Sequence, residues 1–187
     1  MALLRRLTIL AVGLVLLASG PAAQAAASYT IPDGSGGVKV YRSVTYVQSI
    51  DLYKTFYSAS TYSFGQQASI YWTFRRYLED YAPGYQYFRA YLRGTDGRVY
   101  AASVKDLKGT LQVRTSSGTW TGVCAGKLEV TAGLGSRSDE YSMKFPRRCL
   151  NNAGGFRVYQ AWSRYYRDGR LASQDVSKPA TTPYVRW

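Results

Sequence analysis

Tyr87, Arg89, Tyr91 and Arg93 alternate with Phe88, Ala90 and Leu92 in one short run. Residues two apart share a face of a strand, so one face of this run is apolar and the other carries rings and guanidinium groups. Tyr71, Arg75 and Tyr77 repeat the pattern opposite Ala68, Ile70, Trp72 and Phe74. Flat rings stack on sugar rings or bases, and arginine forks pair with phosphate or carboxylate. The chemistry such residues offer is recognition rather than bond making. Arg157 and Tyr159 alternate in the same way, and Trp120 offers a further platform. The pattern also describes an ordinary half-exposed sheet face, where tyrosine–arginine pairs across strands contribute about 0.2–1 kcal/mol each.

Catalytic chemistry is narrowly bounded. The chain has no histidine, which excludes Ser-His-Asp and Cys-His catalysis and the commonest zinc sites. No Gly-x-x-x-x-Gly-Lys loop is present to cradle phosphates, and no Cys-x-x-Cys or Ser-x-x-Lys arrangement occurs. No cofactor or metal is expected. Glycoside hydrolysis needs only two carboxylates at a fixed separation. The candidates are Glu79, Asp80, Glu129, Asp139 and Glu140, which serve equally as solvated charges or partners of the abundant arginines. Asp33, Asp96 and Asp168 each precede a glycine and read as turn residues rather than calcium ligands.

Only two cysteines occur, Cys124 and Cys149. In an exported chain they most simply form one structural disulfide. Closing that loop is worth about 3–4 kcal/mol in the chain-entropy model.

Export is expected from residues 1–25, which read as a signal peptide. Arg5 and Arg6 form the basic start, Leu7 to Ala18 the apolar run, and Ala23-Gln24-Ala25 the small-x-small cleavage site. The apolar run is short for a membrane span, and no second one follows to serve as a transmembrane anchor. The formal net charge is +13, of which the leader carries two positive charges. A surface this basic favours anionic partners, although excess lysine and arginine also keeps a tyrosine-rich surface soluble.

The elements that must position these residues are strands. Residues 26–37 read as a flexible lead-in, 38–177 as a single domain, and 178–187 as a loose tail. Gln66 to Leu78 and Tyr85 to Arg93 alternate most clearly, and the short connector between them predicts antiparallel neighbours. Ser58 to Gly65 reads as a loop. Asp96-Gly97, Ser116-Ser117-Gly118 and Asp168-Gly169 predict hairpins. Phe156, Val158 and Trp162 fall in phase on one strand. No run sustains a helical period. The fold class predicted is all-β: an antiparallel β-sandwich, immunoglobulin-like or jelly-roll-like, of about seven to nine strands.

The late segment resembles a pattern of small secreted actinobacterial proteins with two cysteines. The matching residues are Cys124, Tyr141 to Phe145, Pro146-Arg147-Arg148-Cys149-Leu150, Phe156-Arg157-Val158 and Asp168-Gly169. The resemblance covers roughly the last third of the mature chain. It implies secretion, a β-sandwich and a Cys124–Cys149 disulfide, and it implies no activity.

The expected function is that of a secreted, non-enzymatic β-sandwich binding an extracellular or cell-wall polymer. A glycan or an anionic wall polymer fits best, held by Tyr71, Arg75, Tyr77, Tyr87, Arg89, Tyr91 and Arg93. The alternatives are a carboxylate-dependent polysaccharide hydrolase and a secreted protein-interaction or inhibitor module. Nucleic acid is permitted by charge, but no recognisable binding module is present.

Overall fold

The computed structural model describes residues 27–33, 37–42, 50–75, 84–133 and 139–187. The expected leader and Tyr77, Glu79 and Asp80 lie outside them. The strands are β1 (Ser28–Pro32), β2 (Lys39–Val40), β3 (Leu52–Tyr62), β4 (Gly65–Phe74), β5 (Gly84–Gly94), β6 (Val99–Lys105) and β7 (Lys108–Arg114), then β8 (Trp120–Val123), β9 (Glu129–Gly133), β10 (Asp139–Pro146), β11 (Gly155–Arg167), β12 (Arg170–Ser177) and β13 (Val185–Arg186). A 3-10 turn, Arg147–Leu150, follows β10. Among the described residues no helix is long and apolar enough to cross a membrane.

Among the described residues all pairings are antiparallel and form two sheets. One sheet has the order β1-β3-β4-β10-β9, and the other β2-β12-β11-β5-β6-β7-β8, with β13 added beside β11. Their apolar faces meet in the expected sandwich. Ile70, Trp72, Phe74, Tyr141, Met143 and Phe145 from the first sheet face Phe88, Ala90, Leu92, Val104, Phe156 and Val158 from the second, all essentially inaccessible. Three rings mark the centre: Phe74 lies 4.8 Å from Phe88 and 5.5 Å from Tyr141, and Phe88 lies 5.1 Å from Tyr141.

That contact corrects an expectation. β4 and β5 are not neighbours: β4 pairs with β3 and β10, whereas β5 pairs with β6 and β11. Between Phe74 and Gly84 the chain changes sheets, so the two apolar faces bury each other across the core instead of lying side by side. A short polar connector is compatible with either outcome.

Both ends are also more ordered than expected. Within the lead-in, Ser28–Pro32 pairs with β3 and buries Ile31 fully. Ser58–Tyr62 continues β3 instead of forming a loop, because Tyr57 and Ala59 still alternate inward. The tail is docked, not loose. Val185 is fully buried and β13 pairs with Gly155 and Phe156. Gly155 permits this approach, since a Cβ there would collide with the Val185 carbonyl oxygen. Tyr57 Oη donates to the Pro183 carbonyl at 2.7 Å, and Trp187 Nε1 donates to that of Ala153 at 2.8 Å. The domain therefore takes in β1 and the C-terminal residues.

Cys124 and Cys149 are bonded, with Cα atoms 5.5 Å apart. Cys124 follows β8 at the edge of one sheet, and Cys149 sits in the turn after β10 of the other. The bond pins together two of the places where the chain crosses between sheets, β8 to β9 and β10 to β11. Across the sandwich, Asp175 of β12 accepts the Leu52 N–H at 2.8 Å and that of Val176 at 2.8 Å. Ser163 Oγ of β11 donates to the Ile50 carbonyl.

Two outcomes are expected. Replacing both cysteines by alanine lowers stability by about 3.5 kcal/mol for a loop of this length, which is roughly 7–14 °C in a thermal melt followed by circular dichroism. For Asp175, burial raises the carboxyl above its ordinary 3.8, outweighing its two backbone hydrogen bonds, and nearby Asp51 adds to the rise. The native state then binds more protons than the unfolded chain between the ordinary and the raised value. This component of stability falls as pH rises through that window. Denaturant titrations across pH will show that slope, and Asp175→Asn will remove it.

Candidate functional site

The outward residues of β5 emerge as expected. Gln86, Phe88, Ala90 and Leu92 are buried, whereas Tyr85, Tyr87, Arg89, Tyr91 and Arg93 line the outer face of the larger sheet. Tyr71 and Arg75 do not join them, because β4 belongs to the other sheet. Tyr71 stands on the opposite outside of the sandwich with its ring 5.4 Å from Phe56. The Arg75 Nε is 3.0 Å from Asp51 Oδ2, so its charge is committed to an intramolecular ion pair.

On the side away from β6 the neighbour of β5 is β11, and a one-residue bulge decides what β11 contributes. The register steps from Val158 opposite Leu92 to Gln160 opposite Tyr91, leaving Tyr159 extra. Before the bulge Phe156 and Val158 face inward; after it Ala161, Ser163 and Tyr165 do. Trp162 is thereby turned outward, opposite Arg89, and does not stay in phase with Val158. It is only 4% exposed because guanidinium groups cover it: Arg164 lies 4.2 Å and Arg89 5.6 Å from its ring, with Tyr87 edge-on at 5.1 Å. A signal was present in the sequence: Gln160 occupies what unbroken alternation would make a core position.

Arg89 is the hub of this face. Its Nε donates to Ser103 Oγ at 2.8 Å, and one Nη donates to Tyr87 Oη at 2.8 Å and Gln112 Oε1 at 3.1 Å. These bonds tie β5, β6 and β7 together from outside. Arg89 therefore organises the face, and its fork is largely consumed in doing so.

The expected extension by Tyr159 and Trp120 is present. Tyr91 stands between them, its ring 6.1 Å from Tyr159 and 5.8 Å from Trp120. The row is possible because the residues beside Tyr91 across β6 to β8 include Ala101 and Gly122, too small to keep Trp120 away. Arg93 lies 5.8 Å above the Tyr159 ring. Burial pushes the Tyr159 phenol up, and Arg93 and Arg114 partly oppose this.

Charge on the face is unbalanced. Arg93 is directly opposite Arg157, and Lys105 is directly opposite Lys108. Like charges paired across strands are destabilising by a few tenths of a kcal/mol up to about 1 kcal/mol. Arg157 is partly compensated by the tail, 5.1 Å over the Tyr184 ring and 3.5 Å from the Thr182 carbonyl. The row of Tyr87, Lys105 and Lys108 lies six residues along β5 from Arg93, about 20 Å at strand rise.

Among the described residues the candidate carboxylates Glu129, Asp139 and Glu140 do not assemble. Asp139 and Glu140 are successive on β10 and point to opposite sides of the sheet. Glu129 is opposite Lys144, four residues from Glu140 on that strand, about 13 Å away along it. Among the described residues no cluster of His, Cys, Asp or Glu fits a metal ion.

Replacing Arg89 tests its organising role. Arg89→Ala is expected to lower stability by about 2 kcal/mol, since buried Ser103 loses a charged donor. Arg89→Lys restores little of this in thermal melts, because a single ammonium cannot reproduce the fork. No family model matches the chain, and no curated protein is similar to it in sequence.

Proposed function

We propose that this protein is a secreted, non-enzymatic binding module for an anionic extracellular polymer, an acidic glycan or an anionic wall polymer. The polymer lies along the outer face of the larger sheet. The observation that carries the reading is the pair of like-charged cross-strand contacts, Arg93–Arg157 and Lys105–Lys108, set about 20 Å apart with the Trp120–Tyr91–Tyr159 row between them. Facing cations in this way costs the fold stability, whereas a polyanion relieves both pairs at once.

The rings add the second half of the reading. A flexible polyanion is held by charge alone, but a chain of sugar rings also presents flat apolar faces, and aromatic platforms suit those. The leader-like start of the chain and the disulfide support an oxidising, extracellular setting. The resemblance to small secreted actinobacterial proteins agrees with that setting.

Retention on immobilised polygalacturonate and on a glycerol-phosphate polymer, against neutral dextran, tests the reading. Binding to an acidic polymer at low ionic strength and release by salt are expected, because exposed ion contacts are screened. Arg93→Ala is expected to weaken binding roughly fivefold and Trp120→Ala by a similar or larger factor, from about 1 kcal/mol per contact. No retention on either acidic polymer at low salt overturns the reading.

A further inference from the structure

One part of the outer face is not flat. At the end of β5 away from Arg93, an open cleft of about 430 Å³ is lined by Tyr85, Tyr87, Tyr166, Lys105, Asp106 and Lys108, with Thr110 beside them. That volume falls within the range of about 300–1,000 Å³ usual for small-ligand pockets. We infer that this cleft is a subsite for one acidic sugar unit, a sugar ring carrying a carboxylate or a phosphate. The inference rests on the reading of the face as an acidic-polymer surface and specifies which unit of the polymer is selected.

The geometry assigns each group a task. Tyr85 and Tyr166 are directly opposite on β5 and β11, and their rings stack at 4.9 Å with 11° between planes. Lys105 Nζ caps the Tyr85 ring at 3.7 Å, so ring stacking rather than a carboxylate holds this ammonium at the cleft. Lys108 is brought alongside by the tight β6–β7 turn, in which Asp106 and Leu107 both take left-handed backbone conformations, with φ of 46° and 61°. An anion between the two lysines relieves their repulsion.

The remaining groups suit a sugar and not a bare ion. Burial, together with Tyr166, Asp106 and Tyr87, pushes the Tyr85 phenol up, and a phenol hydroxyl can both donate to and accept from a sugar hydroxyl. Asp106 accepts hydrogen bonds from sugar hydroxyls, and the Thr110 hydroxyl can donate or accept. A neutral sugar leaves the lysine pair unrelieved. Only a hydroxylated ring with one anionic substituent satisfies both sets.

Calorimetric titration with a galacturonic-acid trisaccharide, a hexose phosphate, neutral maltotriose and inorganic phosphate tests this, alongside retention on the acidic polymers. Binding of the trisaccharide or the hexose phosphate about tenfold more tightly than maltotriose and inorganic phosphate is expected, and which of the two binds identifies the substituent. Lys105→Gln/Lys108→Gln is expected to lower that affinity about tenfold with an unchanged or raised melting temperature. Lys108→Gln alone, which leaves the Tyr85 stack intact, is expected to show a smaller loss in the same direction. Trp120→Ala, outside the cleft, should weaken polymer retention but not trisaccharide binding. Equal binding of maltotriose or inorganic phosphate overturns the cleft. So does undiminished acidic-polymer retention by the double variant, which confines the face reading to its Arg93–Arg157 and Trp120 end. Failure of the wild-type chain to bind any acidic polymer overturns both.

Discussion

The pairing of β5 with β11, and the single bulged residue within it, sets the character of the outer face. A strand presents alternate residues to alternate sides, so a one-residue register step exchanges the faces of everything beyond it. At Tyr159 that step brings Trp162, Arg164 and Tyr166 onto the side already occupied by Tyr85, Tyr87 and Arg89. Without the step, Trp162 would enter the core and Tyr165 would leave it. The aromatic and basic density of the face follows from one backbone irregularity acting on two regular strands.

The rest of the architecture holds that pair in place. β5–β6, β6–β7 and β7–β8 are successive hairpins, so the sheet grows outward from β5 by local contacts. On its outer side, Arg89 stitches β5 to β6 and β7 through Ser103 and Gln112. On its inner side, Phe88 meets Phe74 and Tyr141 of the other sheet. The disulfide holds the far edge, where β8 leaves the sheet, against the turn after β10. It therefore secures the edge that carries Trp120. The last hairpin, β11–β12, is held at the centre of its sheet by β5 and not by the disulfide. Packing and covalent closure stabilise the scaffold, while the face retains cation pairs that the scaffold itself does not neutralise.

Much of this was legible in the sequence and some was not, for identifiable reasons. The alternation of Phe88, Ala90 and Leu92 with Tyr87, Arg89, Tyr91 and Arg93 states its own burial pattern, and the two cysteines of an exported-looking chain state their own pairing. Asp96-Gly97 and Asp168-Gly169 mark hairpins because they tolerate the backbone such turns require. The partner of β5 was not legible: Gly84 is preceded by a polar connector that permits either a hairpin or a change of sheet, and only long-range packing of Phe74 against Phe88 decides. The alternation alone therefore groups Tyr71 and Arg75 with residues that lie on the other outside of the sandwich. The docked tail is not legible in the sequence because its anchors, Val185 and Trp187, are single apolar residues among prolines and threonines. Tyr85, Tyr166, Lys105 and Lys108 are not legible as a group because four separate strands, β5, β11, β6 and β7, bring them together.

The central claim is that the outer face of the larger sheet, and no other surface, meets an acidic polymer. Indole N–H resonances report this directly, because the four tryptophans occupy different places. Trp72 is in the core, Trp120 stands in the open aromatic row, Trp162 lies beneath the guanidinium groups of the same face, and Trp187 belongs to the docked tail. In a nuclear magnetic resonance titration with polygalacturonate at low salt, the Trp120 resonance should move most and that of Trp162 should follow as Arg89 and Arg164 adjust. Those of Trp72 and Trp187 should stay in place. A Trp120 resonance that does not move while the polymer binds, or one that moves no more than that of Trp187, would contradict the account.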